Sequence, residues 1–109
     1  MTMLRPYTAT LSRANRQVPI VQQATCDPKL LKMLREDLID ELIAINNYTD
    51  HINATTNETM KAVLTSIRNE ERMHVGELLA LMDTLCPEEG EFRNQGREEA
   101  MEMISPTRT

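Results

Sequence analysis

Two apolar stripes, each repeating in steps of four and three, constrain this chain more than any other feature of it. The first passes through positions 34, 38, 41, 45, 48 and 52, and the second through 60, 64, 67, 71, 74, 78, 81 and 85. Such spacing places one residue per turn on a single face of an α-helix. Asp27 is a good N-cap for the first helix, with Pro28 at the favoured first position. The run Asn-Ala-Thr-Thr-Asn-Glu at 53–58 has no strong helix former except Ala54 and reads as a turn. Asn57 then caps the second helix, and Glu58 falls in its first turn, where the helix dipole favours an acid. Cys86 precedes Pro87, so helical angles are disfavoured there and the second helix ends.

Each helix of roughly 25 residues spans about 38 Å, and the short turn makes the pair an antiparallel hairpin. Residues 87–104 are expected to form one or two short helical pieces broken by Gly90 and Gly96. Aromatic residues are 3% of the chain, with no Trp, so Leu, Ile, Met and Ala must do the packing, which suits helices. The fold class is all-α. The stripes are too broad for one partner to cover, and a lone hairpin would leave much of them wet. The economical solution is a homodimer that completes a four-helix bundle. Residues 1–26 are polar and mixed and read as an extended or disordered N-terminal arm. The helical domain covers 27–104, and 105–109 form a C-terminal tail.

The formal net charge is −5, and it is uneven. Residues 1–26 carry Arg5, Arg13 and Arg16 with no acid, so the rest of the chain sums to −8. An acidic body argues against nucleic acid and is compatible with attracting cations. No run of 18 apolar residues and no signal-peptide core is present, and the expectation is a cytoplasmic protein. The two cysteines form no CxxC pair. Two free thiols are expected in a reducing compartment.

Both stripes contain residues that a core should exclude. Position 41 is Glu and position 48 is Tyr; position 71 is Glu and position 74 is His. An unpartnered buried carboxylate costs several kcal/mol, so these groups require a partner. An antiparallel hairpin folded near 55–57 pairs positions whose numbers sum to about 112, and Glu41 with Glu71 satisfies that sum. His74 lies one turn further on, close enough for both side chains to converge on one ion. Two facing carboxylates repel, and a divalent cation between them removes the conflict. Oxygen-rich sites with an imidazole suit iron, with manganese as the alternative metal.

One chain supplies two Glu and one His. Di-iron carboxylate bundles use a Glu from each of two helices and a Glu-x-x-His from each of two others, so two copies of this chain would supply a full set. The competing reading is a helical hairpin whose Glu41 and Glu71 line a wet interface and pair with Arg68 or Arg72. Tyr48 is either a packing residue or a hydrogen-bond donor to the metal shell. His51 reads as a surface residue near the end of the first helix, and Glu36, Asp37, Asp40 and Glu70 as a solvated acidic face. Gly76 suggests a close helix approach beside the site. Cys26 and Cys86 also sum to 112, at the open end of the hairpin.

The segments "LREDLIDELIAINNYTDHI", "IRNEERMHVGELLALM" and "CPEEGEF" resemble the encapsulated ferritins, short ferritin-like proteins housed in encapsulin nanocompartments. The resemblance covers about residues 29–104, and the combination of E-x6-Y with E-E-x-x-H-V-G-E is specific. It implies a ferritin-like hairpin that dimerises around a di-iron ferroxidase centre, with dimers assembled into a ring-shaped decamer. The iron ligands it implies are Glu41, Glu71 and His74, and Tyr48 matches a family tyrosine near the centre. Asp40 matches one acid of the family's outer metal-uptake site, whereas Ile43 stands where another would be. The family's docking peptide for the encapsulin shell is not recognisable in "EMISPTRT".

The expected activity is therefore oxidation of Fe(II) to Fe(III) for iron storage or detoxification, as cargo inside an encapsulin compartment. A rubrerythrin-like peroxidase or manganese catalase is the enzymatic alternative, and a structural cargo hairpin is the non-enzymatic one.

Overall fold

The computed structural model describes residues 26–105. The expected N-terminal arm and C-terminal tail lie almost wholly outside them. The described residues are all helical apart from caps and links: α1 is Pro28–Ala54, α2 is Glu58–Leu85 and α3 is Pro87–Ile104.

The caps form as the sequence requires. The Asp27 side chain accepts a hydrogen bond from the Lys29 amide at 2.9 Å, and Pro28 occupies the first turn of α1. The Asn57 side chain accepts from the Met60 amide at 2.9 Å and opens α2. Between them residues 55–57 turn the chain, with the Thr55 amide returned to the His51 carbonyl at 3.1 Å. The turn joins one pair of helix ends, and the Cα atoms of Cys26 and Cys86 lie 4.8 Å apart at the other. The hairpin is therefore antiparallel along its whole length.

The third helix departs from expectation. It is one continuous 18-residue element that runs through both Gly90 and Gly96. Pro87 at its start and Glu88 and Glu89 in its first turn favour helix there, and a glycine within a helix costs only about 1 kcal/mol. Gly90 also has a packing reason to be present. A Cβ at that position would lie 3.0 Å from Cγ of Asp83 on α2, where Arg93 of α3 holds the Asp83 carboxylate in an ion pair. Gly76 has no such neighbour, since a Cβ there would meet nothing within 4 Å. The close approach expected at Gly76 is not made within the chain.

Among the described residues the buried core is small and lies at one end. Leu31, Met82 and Cys86 are buried, with Cys26, Leu34, Leu38 and Leu79 packed on them. All of the α1 stripe is half-buried. On α2 the stripe is half-buried from 64 to 78, but Met60, Leu81 and Leu85 are exposed, and the buried row passes to Met82 and Cys86 instead. A strict four-and-three repeat drifts about 20° per heptad on a straight helix, which moves the inward row on by one residue near the C-terminal end. Met60, Val63, Ile67, His74, Leu81 and Leu85 consequently share a flank of α2 beside the packed face, and most of its apolar members are exposed.

Cys26 and Cys86 form a disulfide, in place of the two free thiols expected. The register that brings Glu41 level with Glu71 also brings these cysteines together, and 4.8 Å between Cα atoms is within disulfide reach. No helix among the described residues is long and apolar enough to cross a membrane.

Candidate metal centre

Glu41 comes from the middle of α1, and Glu71 and His74 from the middle of α2. One ligand atom from each lies within 4.8 Å of the others. His74 Nδ1 is 3.3 Å from Oε2 of Glu41 across the hairpin and 3.6 Å from Oε1 of Glu71 on its own helix. Both glutamate side chains are 21% exposed, whereas the imidazole is 44% exposed. The carboxylates thus sit between the helices and the histidine marks the open edge.

The electrostatics are those of a site lacking positive charge. The Glu71 carboxyl is held above the ordinary 4.5, first by its contact with the Glu41 carboxyl, then by desolvation and by the Glu41 and Glu70 charges, against an opposing pull from His74. Oε1 of Glu41 is buried with no hydrogen-bond partner. A buried acceptor of this kind is costly unless something satisfies it. Two carboxylates and an imidazole form a hard, oxygen-rich donor set that fits iron or manganese.

The two arginines nearest the cluster do not neutralise it. Arg68 Nη1 donates to Oγ1 of Thr49 at 3.5 Å, and Thr49 Oγ1 in turn donates to the Ile45 carbonyl at 2.7 Å. Arg72 donates to Asn69 at 3.3 Å. The Nε of Arg68 is itself buried without a partner. Arg68 lies three residues before Glu71, one turn away on the same helix. Its place one turn before Glu71 is the sequence signal for a half-buried cation beside the cluster.

Tyr48 is half-buried one heptad along α1 from Glu41, and the three convergent ligands do not include it. Asp37, Asp40 and Glu70 are exposed, and Glu36 pairs with Lys32 at 3.1 Å. His51 is exposed in the last turn of α1.

Comparison with known proteins finds similarity along much of the chain. It is 39% identical over 70 residues to the encapsulin nanocompartment cargo protein EncC of Myxococcus xanthus, a match covering 64% of this chain and 54% of that protein. It is 34% identical over 89 residues to the ferritin-like-encapsulin shell fusion protein of Pyrococcus furiosus, covering 82% of this chain and 24% of that one. The chain thus spans about half the length of the first relative and about a quarter of the second. No protein-family profile and no solved structure matches it.

Proposed function

We propose that this chain is one half of a ferroxidase. Two copies clasp through the open flank that carries His74, and the paired clusters of Glu41, Glu71 and His74 take up two Fe(II) ions as substrate and release Fe(III). Dioxygen or peroxide accepts the electrons. The observation that carries this reading is the convergence of three ligand atoms within 4.8 Å at matched height on two helices, with Oε1 of Glu41 buried and unpartnered.

The protein's own part is positional and electrostatic. Glu41 and Glu71 supply anionic oxygens, which favour the more highly charged ion. His74 supplies a neutral nitrogen and fixes the open edge of the pocket. Tyr48 serves as a hydrogen-bond donor at the margin of the centre. The redox change itself belongs to the metal.

The exposed apolar residues of α2 support dimerisation, since Val63, Leu81 and Leu85 remain solvent-facing in the single chain. Both relatives are named for encapsulin compartments, which supports reading this chain as cargo of such a shell, with dimers joined into a ring-shaped decamer. Iron oxidised here would then be deposited in the surrounding shell.

Anaerobic Fe(II) titration of the wild type and of Glu71→Ala, followed by oxygen, tests the proposal. Two irons per dimer and oxygen-dependent Fe(III) formation are expected, with both lost in the variant and mass rising to the dimer or above. Manganese uptake with rapid peroxide loss would assign a catalase or peroxidase instead, and absence of any metal uptake would leave a structural hairpin.

A further inference from the structure

Away from the metal centre, the most deeply placed reactive group among the described residues is the Cys26–Cys86 pair, with Cys86 only 2% exposed. Its placement along the hairpin is symmetrical about the cluster. Glu41 lies 15 residues from Cys26, and Glu71 lies 15 residues from Cys86. At the other end, Glu41 is 14 residues from Thr55 and Glu71 is 14 from Asn57. The disulfide and the turn therefore close the two helices into a covalent loop whose midpoint is the cluster, about 22 Å from the disulfide end.

The cluster depends on register. Sliding α2 by one residue along α1 displaces Glu71 by about 1.5 Å, and turning it to restore packing swings the side chain by about 100°. The turn at 55–57 fixes that register from one end, and among the described residues little besides the disulfide holds it at the other. The three buried residues all lie at the disulfide end, and the helix middles are only half-buried. The polar tie from α1 at that end, among the described residues, is Arg35 to Glu89 at 3.1 Å, between side chains 53% and 26% exposed, and such surface pairs hold weakly.

We propose that the Cys26–Cys86 disulfide is a redox-set register lock for the Glu41–Glu71–His74 cluster, closed in the oxidised chain and released on reduction. The proposal rests on the metal-binding reading of the cluster. Closing the lock removes two electrons and two protons from the two thiols. With hydrogen peroxide as oxidant, the O–O bond breaks, the S–S bond forms and two waters leave.

Opening proceeds by thiol exchange. A small thiolate attacks Sγ of Cys26, the half-buried partner, and Cys86 leaves as a thiolate that takes up a proton. A second thiol then resolves the mixed disulfide, so that the reductant ends as its own disulfide and Cys26 as a thiol. A cleft of about 490 Å³ lined by Cys26, Pro28, Leu31, Cys86 and Pro87 gives the reagent access.

The test compares three samples of the full chain: oxidised wild type, wild type reduced and alkylated, and Cys26→Ser. Anaerobic Fe(II) affinity is measured for each by calorimetry, and hydrogen exchange is followed across residues 38–45 and 67–75 without metal. The expected result is at least about tenfold weaker iron binding in the reduced and Cys26→Ser samples, the scale seen when ligand-orienting groups are lost. Faster exchange in both windows is expected alongside it. Reductant should have no effect on Cys26→Ser. Equal affinity in all three samples overturns the lock and leaves the metal reading intact. If no sample binds iron, the metal reading fails, and the exchange data alone decide whether the disulfide sets register: unchanged exchange overturns it.

Discussion

His74 Nδ1 stands 3.3 Å from Oε2 of Glu41 on the facing helix, so the imidazole bridges the hairpin at the level of the two glutamates. Without a cation this arrangement is unfavourable. Glu71 is held above its ordinary value by the neighbouring Glu41, and one oxygen of Glu41 is buried and unpartnered. Sites built for a ligand commonly reduce stability in its absence.

Replacing one carboxylate with its neutral amide should therefore separate stability from binding. Glu71→Gln is expected to raise the thermal midpoint of the metal-free protein slightly, because the repulsion with Glu41 is removed. The same change should weaken iron binding by at least about tenfold to a hundredfold. Differential scanning calorimetry of the metal-free protein and iron titration check the two arms, and a Glu71→Gln protein less stable than wild type would contradict the first.

The same pair sets a pH dependence. The Glu71 carboxyl binds its proton more tightly folded than unfolded, since its folded value is raised above the ordinary 4.5. Between those values the folded state holds more protons, so metal-free stability falls as pH rises through the window. Above it the destabilisation is fully present. Protons compete with the metal over the same range, so iron affinity should rise with pH where metal-free stability declines. Chemical denaturation across that range should show the fall in wild type and a flatter curve in Glu71→Gln.

Much of this was legible in the sequence because helices with strong caps leave little freedom. Asp27, Pro28, Asn57 and Pro87 mark the helix ends as the structure has them. A turn at 55–57 then fixes the register of everything else, Glu41 against Glu71 included. The features that escaped depend on the third dimension. Gly90 and Gly96 read as breaks, yet α3 runs through both, and Gly90 sits against Asp83. The inward row moves from Leu81 and Leu85 to Met82 and Cys86, because helical drift accumulates over several turns. The cysteine pairing follows from the same register as the Glu41–Glu71–His74 cluster, but two cysteines outside any CxxC pattern do not by themselves reveal the redox state of their surroundings.

The disulfide should be a large part of the stability of the isolated chain. It closes a loop with a sequence separation of 60 residues, and the buried core among the described residues is three residues. Reduction, or Cys26→Ser, is expected to cost about 2–4 kcal/mol. Urea unfolding with and without a phosphine reductant measures this, and an unchanged midpoint would mean that the helices hold each other without it.

The His74 flank of α2 offers a test of assembly that leaves the hairpin alone. Leu81 is 43% exposed in the single chain, so a charge there adds little strain to the fold. If a second copy covers that flank, Leu81→Glu places an unpaired carboxylate in an apolar interface, which costs several kcal/mol and weakens dimerisation by about a hundredfold or more. Helical content by circular dichroism should be unchanged, while light scattering should show monomer at concentrations where wild type is dimeric. Iron oxidation should fall with the dimer and return at protein concentrations high enough to force association. A Leu81→Glu protein that stays dimeric and active would place the partner on another face and remove His74 from the interface.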